Sequence, residues 1–216
     1  MASSGGEVEG NEVHSHEEAM LERLTFFSDA VFAIAMTLLV IEIRVPHLHE
    51  LSDRHLGQAL LNLLPNYAGF LSSFFVIGRF WVGHHTLFGM LRAADSRLVW
   101  SNLFLLATVA FMPFPTAIFS EYLQLRVGVG LYTFWLTLIG VVNLVLTRAA
   151  LDNPRLVRPD LDPAQRRARR RGAWIAIWIG AISFAAGMVS PLLSLAGLAI
   201  GSPVVSRIVR GREGRR

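Results

Sequence analysis

Apolar runs of about 20 residues, the length that crosses a bilayer, follow one another through most of this chain. Six lie near 24–43, 57–82, 98–118, 126–147, 173–190 and 192–207. In hydrocarbon every backbone N–H and C=O needs an internal partner, so a spanning segment is either a helix or a barrel strand. Barrel strands alternate polar and apolar residues, and these runs do not. The expectation is an all-α, polytopic membrane protein with six transmembrane helices. Composition agrees: 53% of the 216 residues are hydrophobic, which leaves no room for a separate soluble domain. Proline marks the breaks. Pro65 is expected to bend the second span, Pro113 and Pro115 lie near the end of the third, and Pro191 marks the turn between the last two.

Residues 1–20 are rich in Gly, Ser, Glu and His and lack apolar periodicity, so they read as a disordered head. The head is acidic, unlike a secretory signal. The six-helix unit then covers 21–207, with a basic loop at 148–172 and a basic tail at 208–216. All 20 basic residues other than His are Arg, and they are unevenly placed. With the N-terminus in the cytoplasm, Arg23, Arg92, Arg97, the eight Arg of the 148–172 loop and the tail fall on one side. Only Arg44, Arg54 and Arg126 fall on the other. Basic loops stay in the cytoplasm, so both termini are expected there, in a multi-pass protein of the cell membrane. The same rule accounts for the arginines without nucleic acid. Cys is absent, which removes disulfides and thiolate metal sites.

The first run, Arg23-Leu-Thr-Phe-Phe-Ser-Asp29 followed by AVFAIAMTLLVIEI, opens with groups that lipid rejects. A carboxylate at membrane depth costs a few kcal/mol and usually faces other helices. At about 100° per residue, Ile34, Leu38 and Ile41 share one helix face, with Thr37 beside them. Asp29 lies about 140° away from that line, and Val40 roughly opposite Ile34. One face is therefore polar and anchored at its cytoplasmic end, and another is apolar throughout.

Candidate partners for Asp29 end the second run and open the third: Trp81, His84, His85 and Asn102, together with Arg23 and Ser28. Pairing of Asp29 with Arg23 or a His is the structural expectation; binding of an ion is the alternative. The vicinal His84–His85 pair points its rings about 100° apart on a helix and has no Cys nearby, so no metal site is expected. RVGVGLYTF at 126–134 only loosely echoes a carbonyl filter and sits inside a continuous run. No nucleophile–base pattern assembles an active site, so no enzyme and no cofactor are expected.

The segment Arg23-x-x-x-Phe27-Ser28-Asp29 resembles the signature of the transmembrane protein 175 family of lysosomal potassium channels. The continuation AVFAIAMTLLVIEI, together with FWVGHH and NLFLLATVAFMPFPT, is similar to the bacterial branch. The resemblance covers about 21–207. It implies a potassium-permeable cation channel whose first helix lines the pore, with hydrophobic side chains in place of a carbonyl filter. By position, Ile34 is the narrowest ring, Leu38 and Ile41 the next rings, and Thr37 a polar layer affecting selectivity. Arg23, Phe27, Ser28, Asp29, His84 and Asn102 fall in the signature and the network that fixes the helix. The signature occurs once here, whereas animal relatives carry two six-helix units, so closing the pore needs a homotetramer in the bilayer. No soluble partner is implied. The rival reading is a secondary transporter with Asp29 as its coupling site, although no internal repeat or matched pair of broken helices supports it. A membrane scaffold or an intramembrane enzyme using the His pair is the third.

Overall fold

The computed structural model describes residues 4–189, in which seven α-helices and one 3₁₀ turn follow one another with no strand. They are α1 (Ser4–Leu38, extended by the 3₁₀ turn Leu39–Glu42), α2 (Asp53–Asn62), α3 (Leu64–Phe88), α4 (Ser96–Ala110), α5 (Pro113–Glu121), α6 (Arg126–Asp152) and α7 (Pro163–Val189). Five of the six expected spans correspond to α1, α2 with α3, α4 with α5, α6 and α7. The sixth, 192–207, and Pro191 lie outside the described residues. Among the described residues three helical stretches are long and apolar enough to cross a membrane, Glu17–Glu42, Ser96–Glu121 and Arg126–Asp152. A fourth is added if α2 and α3, bent by 43°, count as one span.

The breaks fall where backbone chemistry puts them. Pro65 occupies the first turn of α3, where its missing N–H costs nothing, and the bend comes at Leu63 just before it. Pro113 likewise starts α5 and divides the third run. Side chains cap the polar starts. Ser52 accepts from the backbone N–H of His55 at 3.3 Å, and Asp95 from that of Leu98 at 2.8 Å. The region 1–20, read as a disordered head, is helical from Ser4 onward and continuous with the span. Extending an existing helix adds a bond per residue without the nucleation penalty.

Helix α6 is the hub: it packs on α4, α5 and α7, while α1 packs chiefly on α3 and α4. The α6–α7 contact is close because glycines remove the side chains between the backbones. A Cβ at Gly180 would sit 2.6 Å from Thr137 Oγ1 and 2.9 Å from Thr137 Cα. One at Gly140 would sit 3.1 Å from the Ile177 backbone N. Small residues drive membrane helix pairs together in this way. Gly180→Ala is therefore expected to lower the thermal midpoint in detergent. The overpacking cost of about 1–3 kcal/mol exceeds the helix-propensity gain of about 1 kcal/mol. A raised midpoint would show that α7 can move away freely.

At the Arg-rich end, two loops are stitched together. Arg92 N–H donates to the Leu156 carbonyl at 2.9 Å and Arg158 N–H to the Met90 carbonyl at 3.0 Å. The Arg170 guanidinium pairs with Asp152, and Arg166 donates to the Leu151 carbonyl. The Arg158 guanidinium beside Asp160 holds that exposed carboxyl below the usual carboxylate range.

Candidate functional site

Helix α1 divides into two faces. Leu24, Ser28, Phe32, Ala35 and Leu39 are buried at spacings of four and three residues against α3 and α4. Ile34, Leu38 and Ile41 lie on the uncovered side, exposed to 57%, 39% and 66%, with Thr37 also exposed. The 3₁₀ turn reinforces this column, since residues three apart eclipse in that geometry and Ile41 follows Leu38 by three. It also moves Val40, which is 52% exposed; Leu39, fully buried, occupies the packing side.

The Ser28 hydroxyl donates to the Leu24 carbonyl at 2.6 Å, satisfying its proton inside its own helix. Its oxygen then accepts from Asn102 Nδ2 of α4 at 2.9 Å. Asn102 Oδ1 lies 2.8 Å from His84 Nε2 of α3, and because an amide oxygen only accepts, Nε2 carries the proton. Three helices are thus joined through one buried amide. His84 stacks on Phe88 at 4.0 Å between centroids and tilts against Phe32 at 5.5 Å. Its Nδ1 is buried and has no hydrogen-bond partner. Apolar rings and one amide therefore define its position.

Asp29 is held separately. Its Oδ1 accepts from Trp81 Nε1 at 2.8 Å, a second tie between α1 and α3. The expected pairing with Arg23 or a His is not what the structure contains. Arg23 is exposed and makes no hydrogen bond or ion pair among the described residues, because it stands eleven residues from Ile34, about 20° off the same line. Phe27, seven residues before Ile34 and 51% exposed, also belongs to the open face. His85 contacts the polar site only through the Trp81 ring, at 6.0 Å. The structure therefore brings together Ser28, Asn102 and His84, and Asp29 with Trp81. It leaves Arg23 and Phe27 outside.

This geometry gives a different expectation for Asp29. Asn keeps the acceptor that Trp81 needs, so Asp29→Asn should leave the thermal midpoint nearly unchanged. Trp81→Phe should lower it, by the roughly 1.5–3 kcal/mol of a hydrogen bond to a charged group, discounted because the site is half-exposed. Equal losses from both would mean that the carboxylate charge, rather than the bond, is required.

A second polar cluster ties α3 to two further helices. Ser73 Oγ lies 2.8 Å from Thr116 Oγ1 and 3.0 Å from Tyr132 Oη, joining α3, α5 and α6. Isolated hydroxyls in apolar runs were its only sequence signal, and such groups usually bond their own helix, as Thr116 also does to the Met112 carbonyl. Among the described residues no three His, Asp or Glu side chains group as a metal site would require.

Residues 23–113 match the family model described as endosomal/lysosomal potassium channel TMEM175. A potassium channel of Chamaesiphon minutus is 36% identical over 186 residues, covering 85% of this chain and 92% of that protein. One from Streptomyces collinus is 36% identical over 156 residues, covering 70% and 75%. The crystal structure of a lysosomal potassium-selective channel TMEM175 homolog from Chamaesiphon minutus superimposes with a TM-score of 0.76 at 33% identity. It covers 88% of this chain and 98% of that one.

Proposed function

Because this chain belongs to the TMEM175 family of potassium channels, we propose that it is a potassium-permeable cation channel whose pore is lined by α1 from each of four identical subunits. One observation carries the reading: α1 is pinned on its polar and buried side to α3 and α4, while the column Ile34, Leu38 and Ile41 is left uncovered. Four such columns around an axis enclose a passage and cover their own apolar surface. A closed ring of identical contacts is the usual outcome for such an interface.

In this arrangement Ile34 forms the tightest ring and Leu38 and Ile41 the next two. None offers a group to replace an ion's water, so a narrow ring excludes water and ions together and opens by widening. Thr37 is the polar interruption. Its hydroxyl proton is committed to the Ile34 carbonyl at 2.9 Å, so its oxygen presents lone pairs outward. Four such oxygens suit a partly dehydrated cation, and K⁺ loses water more readily than Na⁺. Asp29 lies off the column and bonds Trp81, which favours an anchoring role over a transporter's coupling site. The arginine distribution supports cytoplasmic termini and residence in the cell membrane.

Reversal potentials of purified protein in a planar bilayer with asymmetric potassium and sodium test the reading. A shift towards the potassium equilibrium potential is expected; no current, or flux that requires a coupled gradient, would reject it. The protein should also migrate with the mass of four chains of 23.9 kDa each. A monomer conducting at full rate would reject the shared pore.

A further inference from the structure

The arginines near the loop-rich end of α3 and α7 are not all accounted for by loop contacts or by the pore. Arg79 stands on α3 nine residues before its end at Phe88, roughly 14 Å along the axis, and is exposed. It continues a line of exposed apolar side chains at four-residue spacing, Leu71 and Phe75. A charge on such a surface is costly unless it reaches polar headgroups or finds a partner. Arg169 approaches the same place from α7. It donates through Nη2 to the Gly83 carbonyl at 3.1 Å, one turn beyond Arg79. Its Nε is buried without an acceptor.

The charges around Arg169 do not cancel. Burial, and then the like charge of Arg79, pull its guanidinium down from its ordinary value to about 10. No carboxylate among the described residues offsets the pair; Asp152 is paired with Arg170 and Asp160 with Arg158. Two guanidiniums about one helical turn apart, uncompensated by a carboxylate and beside an apolar column, complement an anion that carries a hydrocarbon tail.

We propose that Arg79 and Arg169 form a binding site for the phosphate of an anionic membrane lipid, with an acyl chain lying along Phe75 and Leu71. The exposed Arg79 side chain turns to meet the phosphate, whose oxygens accept from both guanidiniums. Guanidinium suits this role because its planar fork matches phosphate oxygens in pairs. The bound anion relieves the repulsion between the two arginines. It also ties α3, which carries His84 and Trp81 of the α1 anchor, to α7. Basic pockets between membrane helices take headgroups in this manner.

The test is native mass spectrometry of the full-length protein in detergent, titrated with phosphatidylglycerol or with phosphatidylcholine of the same chains. Wild type should retain phosphatidylglycerol and shed phosphatidylcholine. Arg79→Gln and Arg169→Gln should each weaken retention about fivefold, the usual contribution of one interfacial arginine. Arg167→Gln, exposed on the same helix, should leave it nearly unchanged. Should Arg169→Gln fail to fold, Arg79→Gln alone decides, since Arg79 is at the surface. Unchanged retention in Arg79→Gln overturns the proposal. So does displacement of the lipid by millimolar inorganic phosphate, which would make this a site for a free anion. Dissociation of the assembly in Arg79→Gln would make the residue a contact between subunits and overturn it equally. The readout is bound lipid, so it stands or fails independently of ion conduction.

Discussion

Asparagine at position 34 is expected to raise conductance or open probability about tenfold, measured as single-channel or macroscopic current after reconstitution. In the proposed tetramer each substitution appears four times in one ring, so four amides would replace four sec-butyl groups at the narrowest height of the pore. A change of about 1.4 kcal/mol in the barrier is tenfold in rate. Transfer of a single amide between water and an apolar medium already exceeds that. The packing face provides the control. Leu39→Asn places an amide at a fully buried position between helices and should give misfolding or loss of assembly with no gain in current. Val40, although roughly opposite Ile34 by helical periodicity, is exposed in the 3₁₀ turn and cannot serve as that control. Equal current gains from positions 34 and 39 in well-assembled protein would contradict the assignment of faces, and with it the choice of pore-lining residues.

Removal of the Asn102 side chain should be the most damaging change in the anchor. Asn102 is fully buried, accepts from His84 and donates to Ser28, so Asn102→Ala strands a buried N–H and empties a site shared by three helices. An unpaired buried group costs about 1–3 kcal/mol, and the cavity adds to it, for a loss of about 2–4 kcal/mol. Ser28→Ala leaves only the Asn102 amide short of one acceptor and should cost about half as much. Arg23→Ala should leave the unfolding of the subunit close to wild type, because Arg23 bonds nothing in the described chain. Thermal unfolding and assembly yield of the three variants, compared side by side, check the order. If Arg23→Ala were as destabilising as Asn102→Ala, the anchor would extend to the open face.

The sequence alone determined the helical class and most of the spans, because lipid demands internal pairing of the backbone and about 20 apolar residues per crossing. It also located the breaks at Pro65 and Pro113, since proline acts on its own turn whatever surrounds it. The column Ile34, Leu38, Ile41 was legible for the same local reason: helical periodicity decides which residues share a face. The helical head from Ser4 was missed because composition measures what a free segment does, and this one grows from a helix already formed.

Periodicity cannot say which polar group a side chain meets, and here tertiary packing decided. Asp29, Arg23, Trp81, His84, His85 and Asn102 were all expected at one depth, yet depth leaves rotation about each helix axis free. Packing of α1 on α3 and α4 fixed that rotation. It brought Asn102 between Ser28 and His84, gave Asp29 to the Trp81 indole, and left uncovered the side that Arg23 shares with Ile34 by periodicity. Burial supplies the physical reason. A neutral amide can satisfy two buried partners at once, whereas an arginine carried into the same space would bring a charge that lipid and core both penalise.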